Sequence, residues 1–166
     1  MKYCDKIPKV KIQEKYMILY AYAGRISDRE SDWITKYAKK KNLKVYAIGG
    51  IQKCADRFID CSPFEVLAYF KNAEEVITDT FHGSIFSIIT HRPFTTLVRK
   101  SVGNSYGNEE KLVDLLNRLG LSLRMTAQIA ETENINAQLM DYDKVEKVLS
   151  IERQNARQYL YENIRI

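Results

Sequence analysis

The chain is 166 residues long, 45% hydrophobic and 28% charged, the size and balance of one soluble domain with a sizeable core. Its net charge of +5 points to an anionic partner, yet the basic residues are dispersed, without the stripe or base-stacking motif that nucleic acid requires. No apolar run approaches the roughly 20 residues of a membrane span, and Met1-Lys2-Tyr3-Cys4-Asp5 opens no signal-peptide core, so a cytoplasmic location is expected.

Residues 1–15 are read as an N-terminal extension and residues 16–166 as a single domain that includes a C-terminal helix. Tyr16 to Tyr22 is a mostly apolar run ending near Gly24, the composition of a strand buried on both faces. Ser27-Asp28-Arg29-Glu30 is a capping box, in which serine and glutamate each satisfy an orphan amide of the helix that follows. Trp33, Ile34, Tyr37 and Ala38 recur at helical spacing, and Lys39-Lys40-Lys41 closes that helix where cations complement its dipole. Lys44 to Ile48 is a second strand, stopped by Gly49-Gly50; these glycines lack the G-x-G-x-x-G spacing of a dinucleotide loop and read as a turn.

A second capping box, Ser62-Pro63-Phe64-Glu65, starts a helix whose buried face is expected to comprise Phe64, Leu67, Ala68 and Phe70. Val76 to Asp79 is the third strand. An apolar helix spans Ser84 to Thr90, with Pro93 just beyond it, and Phe94 to Val98 is the fourth strand. Glu109 to Leu119 is a helix with Leu112, Val113, Leu115, Leu116 and Leu119 inside, ended by Gly120. The pattern from Leu121 to Met140 is mixed. A last helix begins at Asp143 and carries Val145, Val148, Leu149, Ala156 and Leu160. Strands alternating with helices predict an α/β fold, a Rossmann-like doubly wound parallel sheet, with the strand order left open.

In such sheets ligands bind beyond the carboxyl ends of the strands. Four segments qualify: Gly24 to Ser27, Gly49 to Ile51, Asp79 to Ser84 and Arg99 to Gly107. The third is chemically the richest. Asp79 ends a strand, His82 brings an imidazole suited to acid–base work, and Gly83-Ser84 opens a helix whose N-terminus favours an anion. Arg25, Arg99 and Lys100 are placed to hold an anion. The competing reading makes Asp79 a helix cap and His82 structural, and spacing alone leaves both open. His91 beside Arg92-Pro93 suits a helix end. Ser84 and Ser87 lack a G-x-S-x-G elbow or a separately oriented base, which argues against a serine hydrolase. Cys4, Cys54 and Cys61 are scattered and only two histidines are present, so neither a disulfide framework nor a metal site is expected.

Ser62-Pro63-Phe64-Glu65, the stretch from Asn72-Ala73 through Val76-Ile77-Thr78-Asp79-Thr80-Phe81-His82-Gly83-Ser84 to Ile89, and Arg92-Pro93-Phe94 together resemble the polysaccharide pyruvyl transferase family. The segment Leu119-Gly120-Leu121-Ser122-Leu123-Arg124 and Asp141-Tyr142-Asp143 ahead of Glu152-Arg153 are also similar to it. The resemblance implies one half of a glycosyltransferase-B-like architecture, the C-terminal, donor-side half, with an N-terminal half still to be supplied. It implies transfer of a pyruvyl group from phosphoenolpyruvate to a hydroxyl of a saccharide acceptor, without a cofactor. It also assigns roles: His82 contacts the donor or acts as acid, Asp79 orients, and the Gly83 and Ser84 amides hold the anion. An arginine expected shortly before the leucine-rich helix is replaced by Lys111, which moves anion binding toward Arg99, Lys100 or Arg124. Two other readings of the fold are a nucleotide-sugar binding domain of glycosyltransferase type and a non-catalytic interaction domain.

Overall fold

The computed structural model describes residues 7–100 and 109–164. Cys4 and the stretch from Ser101 to Asn108, which takes in most of the candidate segment Arg99 to Gly107, lie outside the described residues. The elements run β1 (Tyr16–Tyr20), α1 (Asp28–Lys40), β2 (Lys44–Ile48), β3 (Arg57–Phe58), α2 (Pro63–Asn72), β4 (Glu75–Thr78), α3 (Phe81–Ile89), β5 (Phe94–Leu97), α4 (Glu109–Arg118), β6 (Met125–Thr126), α5 (Thr132–Ala137) and α6 (Tyr142–Asn163). The six strands pair in parallel in the order β3-β2-β1-β4-β5-β6. This is the doubly wound Rossmann-like sheet that the alternation predicts, and its order reverses between β1 and β4.

The strand alternation builds two cores. Tyr16, Ile18 and Val76 join one cluster with Phe70 of α2, Ile88 of α3, Leu116 of α4 and Val145 of α6. Met17, Leu19 and Ile77, one residue out of phase, join the other with Ile34, Tyr37 and Ala38 of α1. Helices therefore cover both faces, which is why the central strands read as continuous apolar runs. Cys54 and Cys61 are free thiols packed against different clusters, and so lie on opposite faces of the sheet. The segment before β1 is packed on the domain too: Ile12 lies against the first core, and Glu14 accepts a 2.6 Å hydrogen bond from the Tyr46 hydroxyl. No helix among the described residues is long and apolar enough to cross a membrane.

Several local expectations shift. β3 and β6, two residues each, carry no periodicity to read and exist because β2 and β5 offer them a ladder. On α2 the buried residues are Val66, Ala68 and Phe70, whereas Phe64 is 45% exposed in the first turn, before the helix meets the sheet. α3 starts at Phe81 rather than Ser84, because Thr80 is its cap. Its buried face is Gly83, Ser84, Ser87 and Ile88, and the small residues let the helix lie close on the sheet. α6 buries Val145 and half-buries Val148 and Leu149, but Ala156 is exposed and Leu160 is 50% exposed, because the helix outruns the surface it packs on.

Candidate functional site

β1 and β4 are neighbours, but the chain leaves them in opposite directions: β1 leads to α1 on one face and β4 to α3 on the other. The two departing loops, Ala21 to Ser27 and Asp79-Thr80, bound a crevice at the sheet's carboxyl edge. Gln52, buried, fixes the first loop by donating from Nε2 to the carbonyls of Ala21 and Tyr22, each at 3.1 Å. Gly50 presses on the same loop; a Cβ there would stand 2.3 Å from the Ala23 nitrogen. The Gly49-Gly50 pair thus seats one loop on another, with Gly49 at φ +87°.

The second loop is set by hydroxyls. Thr78 Oγ1 donates to the Tyr20 carbonyl at 2.8 Å and accepts from the Thr80 amide at 3.1 Å. Thr80 Oγ1 then accepts from the Gly83 amide at 2.9 Å, and Ser84 Oγ meets Thr96 Oγ1 at 2.9 Å. This places each residue of the expected anion pocket differently. The Gly83 amide is consumed by the cap, and the Ser84 amide donates to the Thr80 carbonyl at 3.2 Å. A Cβ on Gly83 would lie 2.1 Å from Thr78 Oγ1, so this glycine serves the helix–strand contact and leaves no room for a ligand. The amides without intrahelical partners are those of Phe81 and His82 in the first turn.

Asp79 is fully buried, and its Oδ2 lies 2.9 Å from Nε of Arg25, whose guanidinium sits over the Tyr22 ring at 5.9 Å. Burial pushes the Asp79 carboxyl above the usual carboxylate range, while the nearby Arg25 and Arg99 pull it down. Arg99 NH1 reaches Glu30 Oε1 at 2.7 Å. The other oxygen of Glu30 accepts from the Ser27 amide at 2.9 Å, so the capping glutamate of α1 also anchors an arginine from the end of β5. Burial raises Glu30, but the bonds from Arg99 and Ser27 outweigh it and hold the acid below its ordinary range.

His82 is exposed in the first turn of α3, with Phe81 and Phe86 as its ring neighbours at 6.1 and 6.2 Å. It lines a cavity of about 420 Å³ together with Tyr22, Arg25, Asp79, Phe81 and Lys111. Lys111, from the first turns of α4, therefore stands in the same cavity as the histidine. The pattern signalled it only as a substitution for an expected arginine. Tyr22 is half exposed there as well, because β1 ends at Tyr20, two residues short of the buried run that the sequence suggests.

Lys100 is exposed and lines a second, adjoining cavity, which also includes Arg99. Arg124 is not brought to the crevice. It precedes β6, at the opposite edge of the sheet, is 3% exposed, and donates to the carbonyls of Ile135 at 2.8 Å and Gln138 at 2.5 Å. The structure spends this arginine on clamping α5, which corrects its assignment to the anion. His91, at φ 55°, stacks on Tyr142 at 4.6 Å and meets Glu146 at 3.2 Å, tying the end of α3 to α6.

A family model of polysaccharide pyruvyl transferase matches residues 3–101. The match includes the segment before β1 and the whole α3 junction, and ends before the leucine-glycine-leucine segment and Asp141-Tyr142-Asp143. No curated protein sequence matches the chain. Among solved structures, the glycotransferase of kitacinnamycin is similar with 9% identity and a TM-score of 0.55, over 85% of this chain and 40% of its own. The UDP-GlcNAc 2-epimerase of Methanocaldococcus jannaschii is similar with 12% identity and a TM-score of 0.54, over 92% of this chain and 48% of its own. The chain thus spans less than half the length of either neighbour, and these likenesses concern the fold, matching the half of a glycosyltransferase-B-like architecture. With the matched region covering most of the sheet and the His82 turn, the chain belongs to the polysaccharide pyruvyl transferase family.

Proposed function

We propose that the cavity at the β1–β4 switch point binds phosphoenolpyruvate and that this chain is the donor-binding unit of a pyruvyl transfer to a saccharide hydroxyl. The observation that carries the reading is the meeting of His82, in the first turn of α3, and Lys111 in one cavity of about 420 Å³. Phosphoenolpyruvate presents a phosphate and a carboxylate. A helix N-terminus and an ammonium group hold one such anion, and the half-exposed Tyr22 and Phe81 shield the enol from water. Arg25 and Arg99 are neutralised by Asp79 and Glu30, so in this reading they shape the wall while Lys111 supplies the free charge.

The chemistry needs an acid. A proton delivered to the methylene carbon turns it into a methyl group and leaves an oxocarbenium-like centre at C2. One sugar hydroxyl adds there, phosphate departs with the C2–O bond electrons, and a second hydroxyl closes the ketal. The two hydroxyl protons balance the new methyl hydrogen and the one released. In this reading the His82 imidazole, which lines the cavity, is the acid, and Asp79 keeps Arg25 and the Tyr22 loop in place. In this reading a second α/β unit supplies the facing wall, so binding is the property to measure on this chain. A cytoplasmic location follows from the donor, a cytoplasmic metabolite.

Calorimetric titration of phosphoenolpyruvate is expected to show binding that His82→Ala and Lys111→Ala each weaken about tenfold, the worth of one charge-assisted contact. Binding of UDP-GlcNAc alone, lost in His82→Ala, would favour nucleotide-sugar binding. Absence of any anion binding would favour an interaction domain.

A further inference from the structure

We infer that the larger cavity adjoining the donor site is an acceptor subsite for an acidic saccharide; its role as acceptor site rests on the pyruvyl-transfer reading. The cavity measures about 1100 Å³ and opens at the carboxyl ends of β1 and β5 on the face that carries α1. Drug-sized ligands fill roughly 300–1000 Å³, so this space accommodates several sugar rings. It shares Arg25 with the smaller cavity, and the Arg25–Asp79 pair forms the wall between them. A chain lying in the larger cavity therefore ends beside the donor.

The lining suits a sugar and selects its charge. Arg29, Trp33 and Lys36 stand at i, i+4 and i+7 on α1, which aligns them on one helix face along the cavity. Trp33 is half-buried and backed by Tyr37, stacked at 4.8 Å and 19°. The indole is thus a rigid plate, the kind of surface on which the C–H face of a sugar packs at low entropic cost. Asp32 and Gln128 line the same space and can take hydroxyl hydrogen bonds. Among the cations, Arg25 and Arg99 are neutralised by Asp79 and Glu30. Among the described lining residues Arg29, Lys36 and Lys100 remain, all exposed, against Asp32. A neutral saccharide has no use for that excess; carboxylates along a chain do.

Trp33 is the chain's single tryptophan and lines this cavity but not the donor cavity, so its emission distinguishes the two. The full chain is titrated at low salt with a tetrasaccharide of alternating glucuronic acid and N-acetylglucosamine, and with the neutral N-acetylglucosamine tetramer. The acidic compound is expected to change the Trp33 emission and to bind about tenfold tighter. The preference should vanish in the double variant Arg29→Glu, Lys36→Glu and persist in Arg29→Lys, Lys36→Arg, with circular dichroism unchanged in both. Equal affinity for the two tetrasaccharides overturns the inference, as does a preference that survives the charge reversal. An emission change produced by UDP-GlcNAc and not by the acidic tetrasaccharide overturns it too. Calorimetry with phosphoenolpyruvate separates the two cavities: Lys111→Ala should weaken that ligand and leave the tetrasaccharide unchanged. If phosphoenolpyruvate fails to bind the wild-type chain while the acidic tetrasaccharide binds with this charge dependence, pyruvyl transfer fails as a reading and the acidic-saccharide site stands.

Discussion

Strand β4 has a buried carboxylate at each end, and the two ends behave differently. Glu75 begins the strand, is 4% exposed, and pairs with Lys41 at 3.2 Å beneath the end of α1. Asp79 follows its last residue, is fully buried, and pairs with Arg25 at 2.9 Å. By charge and burial they are near twins. At the Glu75 end the chain closes over the pair, with Lys41 also lying 5.2 Å from the Tyr37 ring centre. Arg124, likewise buried toward that edge, has its guanidinium on two backbone carbonyls. At the Asp79 end the connections to α1 and α3 part to opposite faces, and a cavity opens between them. A buried ion pair therefore does not identify a site; the divergence of the chain around it does.

The largest expected effect tests whether the twins differ energetically. Asp79→Ala leaves the mostly buried Arg25 without its partner and should cost about 3 kcal/mol in urea denaturation. Glu75→Ala should cost clearly less, because the Lys41 side chain is 34% exposed and can turn to water. Equal losses would remove the distinction between the two ends. Next in size, Gly83→Ala forces a Cβ against Thr78 and should destabilise by about 2 kcal/mol, read from the same denaturation midpoints. A neutral result would mean that α3 is not held on β4 as closely as the glycine implies.

Acidity sharpens the comparison further. The folded-state value of Asp79 is raised, so its contribution to stability is full below its unfolded value and declines as pH rises through the folded one. Glu30 runs the other way: its folded value is lowered, so its contribution is present above the unfolded value and lost as pH falls through the folded one. Denaturation midpoints between about pH 3 and 7 should therefore lose their decline on the rising side in Asp79→Asn, and part of their acid loss in Glu30→Gln. An Asp79→Asn profile that overlays the wild type would show that this carboxyl keeps its ordinary acidity. The smallest effect is on stability at the working groups. His82→Ala and Lys111→Ala are exposed replacements and should each change stability by less than about 0.5 kcal/mol while weakening phosphoenolpyruvate.

The amino-acid sequence alone determined the elements that depend on neighbours a few residues apart. β2 runs from Lys44 to Ile48 as its apolar run reads, and the Ser27–Glu30 box caps α1 because both partners sit within one turn. The class of fold followed from alternation, and the His82 turn stood out because strand, small residues and helix meet there in a single stretch. Helical spacing says which residues share a face but not where the opposing surface stops, so Phe64 and Leu160 were expected inside and lie outside. Two-residue strands carry no period at all, which hid β3 and β6.

Only the tertiary structure decided the strand order, and with it the make-up of the site. Placing β1 beside β4 brings Arg25 to Asp79, gives Arg99 to the capping Glu30, and opens the crevice under His82. Docking α4 there brings Lys111 into the same cavity and puts Arg124 at the opposite edge as a clamp. Caps and strand runs arise from short-range hydrogen bonding and sterics, which a local pattern records. The partner of a buried charge is chosen by the packing of segments distant in the chain, and no spacing along the sequence encodes it.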